Sequence, residues 1–460
     1  MRRRLLAFLL GIVLLTCALT GCSAIGLDVE TQLMPPAGSG EHEAIRTALE
    51  DYIVTNTKNG ESADYTLKYP SDGQYLSAFI MMDQVQPHTL LGATAAPKTA
   101  DTTKSVLAFY RRNDENALVH INLLQSDSEG NWTSVADVEG KGESVNQVEF
   151  GDLNNDGTPE LLIGWSLYNT RDSRLTIYDI SENLTMRTFT DTYTKLVVAD
   201  ITADGADDLL LLSILDVFNV VSAQMFSFQT DNVIVSGDTA LDSGIVAFGD
   251  HITARLANGG HGVFLDCYKE QNAMITELIC WQDRELQSPL CDQSTLLNNK
   301  TAREIPLASR DIDGDGVVEW PVTVRMPGFE ETEPSKTLWY TEWRSCDMGT
   351  DIVHIEFPAL LPANDGYMLR LREEWQGLPA SYNAETHILT LYRSEDGGDD
   401  WLFRIGTFAI ENREKLPEGY VLFEEHGNRC YAVCIAEGED AVSLEEVRYL
   451  FDILEQEGLS

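Results

Sequence analysis

One spacing constrains this chain more than any other, and it is clearest inside Val145–Tyr168. An alternating segment ending at Phe150 runs into Asp152-Leu-Asn154-Asn-Asp156-Gly157-Thr158-Pro-Glu160, and the apolar run Leu161-Leu-Ile-Gly-Trp165 follows at once. Oxygen-bearing side chains recur at every second position and Gly occupies the sixth. A tight loop of this kind turns its carboxylates inward around one hard cation, and Ca²⁺ takes about 6–8 oxygens at about 2.3–2.6 Å. Gly supplies the backbone freedom that the turn demands.

The spacing returns at Asp311-Ile-Asp313-Gly-Asp315-Gly316-Val317-Val-Glu319, and in a thinner form at Asp200-Ile-Thr202-Ala-Asp204-Gly205-Ala-Asp-Asp208. An EF-hand opens in the same way but needs a bidentate Glu at the twelfth position. Here that position holds Ile163, Leu211 or Val322, and the flanks are short spans rich in Val, Ile, Leu, Phe and Trp. Such flanks read as strands, so these are strand–loop–strand units. The competing reading is a loop that bends by Asx-type hydrogen bonds alone.

A second constraint sits at the N-terminus. Arg2-Arg3-Arg4 is a basic leader and Leu5–Leu15 an apolar run of secretory length, too short for a comfortable membrane span. After it comes Leu19-Thr20-Gly21-Cys22, which resembles the lipobox of bacterial lipoproteins. That resemblance implies cleavage before Cys22, diacylglycerol on its sulfur and an extracytoplasmic, membrane-anchored protein. Residues 23–40, with Pro35-Pro36 and Gly38-Ser-Gly40, read as a flexible tether.

The net charge of −42 repels nucleic acid and anionic lipid headgroups and suits cations or basic partners. Hydrophobic residues make up 43% of the chain, enough for a folded core rather than a disordered acidic tail. Beyond Cys22 lie Cys267, Cys280, Cys291, Cys346, Cys430 and Cys434, with no CxxC spacing for zinc. An exported location permits a pair among the first three. Cys430 and Cys434 on one strand lie too far apart to bridge.

Glu41–Asn56 predicts an amphipathic helix with Ile45, Leu49, Tyr52 and Ile53 on one face. Its acidic polar face argues for packing on protein rather than on lipid. From Tyr65 to Gly349 a degenerate repeat follows, with steps of 48, 50 and 61 residues linking Asp152, Asp200, Asp250 and Asp311. Around Asp250 the strand frame persists but the acidic loop is gone; a Thr-, Ala- and Pro-rich insertion at 87–103 interrupts the first unit. Periods of about 40–50 residues with four short strands each are the signature of propeller blades.

With Phe150-Gly-Asp152-Leu-Asn-Asn-Asp156-Gly157-Thr-Pro-Glu160 and Arg310-Asp311-Ile-Asp-Gly-Asp315-Gly316 in hand, the chain resembles the FG-GAP and VCBS repeats, the blade type of integrin α-subunit heads. The resemblance implies a mainly β fold, with an N-terminal helix and a β-propeller of five to seven blades over 41–349. The pattern of 350–460 reads as a small α+β domain, an antiparallel sheet covered by one C-terminal helix, or alternatively as strands that complete the propeller. The resemblance also implies calcium held by Asp152, Asn154, Asp156, Glu160 and the Thr158 carbonyl. The late set is Asp311, Asp313, Asp315, Glu319 and the Val317 carbonyl, and the thinner loop offers Asp200, Asp204 and Asp208. The implied role of the ion is structural.

In the C-terminal part, five strand-like segments precede a helix that Ser443 and Glu446 open as a capping box, with Val447, Leu450, Phe451 and Leu454 as its stripe and Gly458 as its stop.

For an enzyme, G-x-S-x-G, a phosphate loop and H-E-x-x-H are all missing. His251 and His261 sit in a Gly-rich stretch and read as loop residues. Asp396-Gly-Gly-Asp-Asp400 fits a solvated hairpin turn. Trp132, Trp165, Trp281, Trp320, Trp339 and Trp343 read as blade core. The favoured function is therefore a monomeric, non-enzymatic binding module for a protein, peptide or glycan at the cell envelope. The alternative is an exported propeller enzyme, a lyase or glycosidase acting on polysaccharide. A chelator should lower the melting temperature by several degrees, and Asp156→Ala should remove most of that dependence; identical melting curves with and without calcium would defeat the cation reading.

Overall fold

The computed structural model describes residues 39–56, 64–85, 104–113, 118–167, 172–215, 220–229, 232–256, 258–346, 353–394, 400–438 and 442–454. The expected leader, Cys22, most of the tether, the 87–103 insertion, most of the Asp396–Asp400 turn and Gly458 lie outside them. The fold is mainly β, and no described helix is long and apolar enough to cross a membrane. Two compact units are present. One comprises the described residues up to Gly151 together with Gly157–Thr192; the other comprises Asp152–Asp156 and the residues from Tyr193 onward.

The first unit opens with α1 (Ser39–Thr55), close to the expected bounds. Ile45, Leu49 and Ile53 recur at four-residue intervals and are buried on the first sheet, beside Leu67, Phe79, Tyr110 and Trp132. That sheet holds β1 (Tyr65–Leu67), β2 (Phe79–Met81), β3 (Ser105–Arg112), β4 (His120–Ser126) and β5 (Trp132–Glu139). The second sheet is the meander β6 (Val145–Gly151), β7 (Glu160–Ser166), β8 (Ser173–Asp179) and β9 (Thr185–Tyr193). Leu107, Phe109 and Ile121 of the first share a core with Phe150, Leu161 and Trp165 of the second.

The second unit holds four sheets among its described residues. Two are meanders of four strands. One runs β10 (Lys195–Ala199), β11 (Asp208–Leu215), β12 (Val220–Gln229), β13 (Asn232–Ala240); the next runs β14 (Ala247–Arg255), β15 (His261–Tyr268), β16 (Met274–Gln282), β17 (Glu285–Gln287). A five-stranded sheet follows with β18 (Trp320–Arg325), β19 (Leu338–Cys346), β20 (Val353–Pro362), β21 (Tyr367–Arg370) and a late strand, β27. The last sheet contains β22 (Ala380–Asn383), β23 (Ile388–Tyr392), β24 (Trp401–Ala409), β25 (Val421–His426) and β26 (Arg429–Ile435), in the order β22-β23-β24-β26-β25. Consecutive sheets share cores. Leu210 and Leu212 meet Val263 and Ile279, Leu278 meets Trp320, and Leu338 and Leu360 meet Leu389 and Phe403. Trp165, Trp320, Trp339 and Trp343 are fully buried, as core tryptophans should be.

Two expectations for the C-terminal part are corrected. The boundary at 349/350 cuts through one sheet, because β20 pairs with β19 from Leu338↔Pro362 to Cys346↔Val353. The last helix, α2 (Leu444–Tyr449), has the Ser443–Glu446 capping box but stops after six residues. Phe451–Ile453 is instead β27, paired with β21. The free edge of β21 offers backbone partners, and the Phe451 ring stacks on Tyr367 with centroids 4.7 Å apart. Ladder pairing and that aromatic contact outweigh the helical spacing of Leu450, Phe451 and Leu454.

Between β17 and β18 the chain crosses 288–319 with no named strand, and buried side chains hold it to the β14–β17 sheet. Asp266 Oδ1 accepts from Arg303 Nη2 and Ser309 Oγ, each at 2.8 Å, and its Oδ2 accepts from Ser309 N. Thr276 Oγ1 also donates to Asp266, and Arg303 Nε donates to the Leu307 carbonyl. Removing either partner of this buried ion pair would strand the other charge, at a cost of about 3–5 kcal/mol.

A second knot joins Glu277, fully buried, to Asp242 N and Ser288 Oγ, while Asp242 accepts from Lys269 Nζ and Asn298 N. Burial pushes the Glu277 carboxyl up to about 7. An unfolded Glu titrates near its ordinary value of 4.5, so between there and 7 the folded chain keeps a proton that the unfolded chain has lost. Stability should therefore fall as pH rises from 5 to 7.5, and Glu277→Gln should flatten that fall by roughly 2–3 kcal/mol. Denaturant midpoints at the two pH values check this; an unchanged slope in the variant would contradict it.

Candidate functional site

The late acidic loop brings its predicted donors together. Among the described residues, Asp311, Asp313 and Asp315 form the one group of three His, Cys, Asp or Glu donors whose atoms lie within 4.8 Å of one another. Oxygens on opposite sides of a Ca²⁺ shell are separated by about 4.8 Å, so all three could touch one centre. The loop is shaped by its own backbone. Asp311 Oδ1 accepts from Gly314 N at 2.7 Å and from Asp315 N, and its Oδ2 accepts from Gly316 N. Asp313 Oδ1 accepts from Asp315 N, and Asp315 Oδ1 from Val317 N. Gly314 and Gly316 adopt φ of 83° and 89°, a region costly to residues with a Cβ. One oxygen on Asp313 and one on Asp315 thus stay clear of the turn's own bonds.

Glu319 and Val317 close the loop in different ways. Glu319 is buried, its Oε2 accepts from Ile312 N, and its main chain is bridged to Arg310. Burial pushes its carboxyl up to about 7, against the Ile312 hydrogen bond and with the charges of Asp313, Asp315 and Asp311 adding to the rise. Val317 is exposed beside it.

The earlier loops have the expected strand–loop–strand frame, between β6 and β7 and between β10 and β11. In the first, Asp156 N donates to Asp152 Oδ1 and Asn154 Oδ1, and Asn155 takes a left-handed φ of 57°. Thr158 is half-buried and Glu160 buried at the start of β7. Residues 152–156 belong to the second unit, where Asp207 N donates to the Asp152 carbonyl and Asp152 N donates to Asp207 Oδ2. In the 200–208 loop, Asp200 accepts from Asp204 N and Gly205 N. Asp208 is buried and already committed, accepting from Ile201 N, Thr202 N and Ser227 Oγ. It latches the loop to its sheet, and Asp200, Asp204 and Asp208 form no three-carboxylate group of the late-loop kind.

Two histidines depart from the loop reading. His251 lies within β14, and His261 opens β15, buried, with Nδ1 at 2.5 Å from the Asp200 carbonyl. The six described cysteines are all free thiols.

One further arrangement is visible only in three dimensions. His387, at a left-handed φ of 55° in the β22–β23 turn, sets Nδ1 2.6 Å from Asp365 Oδ1, a buried carboxylate in the β20–β21 turn. The Tyr431 hydroxyl donates to the Asp365 carbonyl behind it. A carboxylate on Nδ1 fixes the imidazole's orientation and tautomer, as in proton-transferring pairs. No sequence motif joins the two residues, because they lie on separate hairpins.

No protein-family model matches the sequence, and no curated protein matches it. Solved structures similar to it include an exotype rhamnogalacturonan lyase at 12% identity, with 73% of each chain covered and a TM-score of 0.31. A Bacillus licheniformis rhamnogalacturonan lyase follows at 10%, covering 76% of this chain and 90% of that one, with a TM-score of 0.31. An exo-β-1,3-galactanase from Phanerochaete chrysosporium stands at 8%, 78% and 82%, and 0.25. Likeness at this level assigns neither fold nor activity. In a calorimetric calcium titration, Asp315→Asn should lower the number of ions bound per chain by one; unchanged stoichiometry would place any ion away from the late loop.

Proposed function

We propose that this chain is a bacterial extracytoplasmic lipoprotein, anchored through lipid on Cys22, in which FG-GAP-like blades form a calcium-stabilised propeller that serves as a binding module at the cell envelope. The observation that carries this reading is the convergence of Asp311, Asp313 and Asp315 within 4.8 Å, in a loop leading straight into a blade-type strand. Three of the six sheets among the described residues are four-stranded antiparallel meanders of blade size, and within each unit consecutive sheets share cores, which supports the reading. A cation in such a loop fixes the register of the strand beside it and stiffens a sheet edge. The leader and Cys22 supply the anchor, and the charge of −42 keeps the protein off anionic surfaces. The alternative of an exported polysaccharide enzyme has one feature in its favour, the Asp365–His387 pair.

One experiment separates the two. The purified protein is applied to an array of envelope glycans and peptides with calcium or with chelator, and bound polysaccharides are assayed for cleavage. The proposal expects calcium-dependent retention without turnover. Turnover that falls in His387→Gln would overturn it in favour of the enzyme.

A further inference from the structure

The second unit contains a cleft of about 310 Å³ between the β14–β17 sheet and the sheet that begins at β18. Its walls are largely aliphatic and aromatic, from Ile252, Phe264, Leu307, Leu361 and Leu454, and Asp250 stands among them. Asp250 occupies the repeat step shared by Asp152, Asp200 and Asp311, in the one unit whose acidic loop is lost.

A β-bulge explains where its side chain goes. Phe248 pairs with Cys267 and His251 with Leu265, so Gly249 and Asp250 together face the single residue Asp266. Bulges re-aim side chains and gather beside binding sites. Gly249 keeps the bulge uncrowded: a Cβ would lie 3.1 Å from the Asp266 carbonyl oxygen and 3.1 Å from the Tyr268 ring.

The charges around the cleft are otherwise spoken for. Asp266 is ion-paired with Arg303 and hydrogen-bonded by Ser309, and the Arg310 guanidinium lies over the Trp343 ring, 5.3 Å from its centroid. Asp250 is exposed and makes no hydrogen bond or ion pair to another described residue. A carboxylate without a counterion beside an aliphatic wall complements a cation on an apolar stem, the shape of a basic side chain. A chain of net charge −42 also draws basic segments toward itself over long range.

We propose that this cleft receives a lysine or arginine side chain from an extended peptide segment, the stem packing on Ile252, Phe264 and Leu361 and the cation meeting Asp250. This gives the proposed binding module a ligand class, and it rests on that reading of the chain as a binder. The cleft is tested by titration and the acidic loops by calcium-dependent melting, so either can fail alone.

The probe is the capped peptide Ala-Ala-Lys-Ala-Ala, compared with norleucine and glutamate at its centre and titrated at physiological salt by NMR. The lysine peptide should bind about three- to fivefold more tightly than the norleucine peptide, the range of an exposed ion pair. Asp250→Asn, at an exposed position, should erase that difference. Ala308→Trp, at the cleft's exposed edge, should weaken the lysine and norleucine peptides alike while the melting temperature stays unchanged. Equal binding of lysine and norleucine peptides, preference for glutamate, indifference to Asp250→Asn, or no binding at about 10 mM peptide would each overturn the proposal.

Discussion

The architecture depends on burying both faces of the central strands. All eight residues of β15 except the last, Tyr268, are enclosed, and β7 and β16 are enclosed along nearly their whole length. A sheet with one wet face can stand at the surface alone; a sheet apolar on both sides needs a neighbour on each. The chain meets that need serially. Within each unit, consecutive antiparallel sheets cover one another, and α1 covers a face of the first. Meanders place most strands beside a sequence neighbour, with β1–β3, β24–β26 and β21–β27 as exceptions, so the pairing is mostly local even though the cores are shared.

The acidic loops join those strands at low conformational cost. In each of them carboxylate oxygens accept backbone N–H bonds from the turn that follows, so the side chain shapes the loop before any ion arrives. The three loops then diverge by what remains of the donor set. At 311–315 the carboxylates converge with oxygens left over; at 208 the last acid is drawn back into the sheet by Ser227 and two backbone amides. At Asp250 the loop has gone altogether and a bulge turns the carboxylate toward an aliphatic cleft. The repeat unit thus carries three convergent carboxylates in one place, a sheet latch in another and a solitary carboxylate beside a cleft in a third.

Much of this was legible in the residues themselves. The four-residue rhythm of Ile45, Leu49 and Ile53 marked α1, and alternate oxygens followed by apolar runs marked the strand–loop–strand units. What escaped is tertiary. Phe451–Ile453 carries a helical pattern but is captured by the open edge of β21. The reach of one sheet across 349/350 depends on β19 and β20 pairing through segments whose texture differs. Asp365 and His387 meet only because two hairpin turns face each other, and the 288–319 crossing is held by Asp266, Glu277 and Asp242 on strands and turns far from it in sequence. Periodicity records which face a residue buries, not which distant side chain it will find.

The central claim is that the oxygens at 311–319 can enclose a divalent-sized ion, and terbium luminescence tests it most directly. Trp320 follows Glu319 immediately and can sensitise Tb³⁺ held in that loop. The account predicts saturable emission on tryptophan excitation, a decay slower than that of the free ion because carboxylates displace its water, competition by calcium, and loss of the signal in Asp313→Asn. Emission that never rises above the free ion's, or that persists unchanged in that variant, would contradict it.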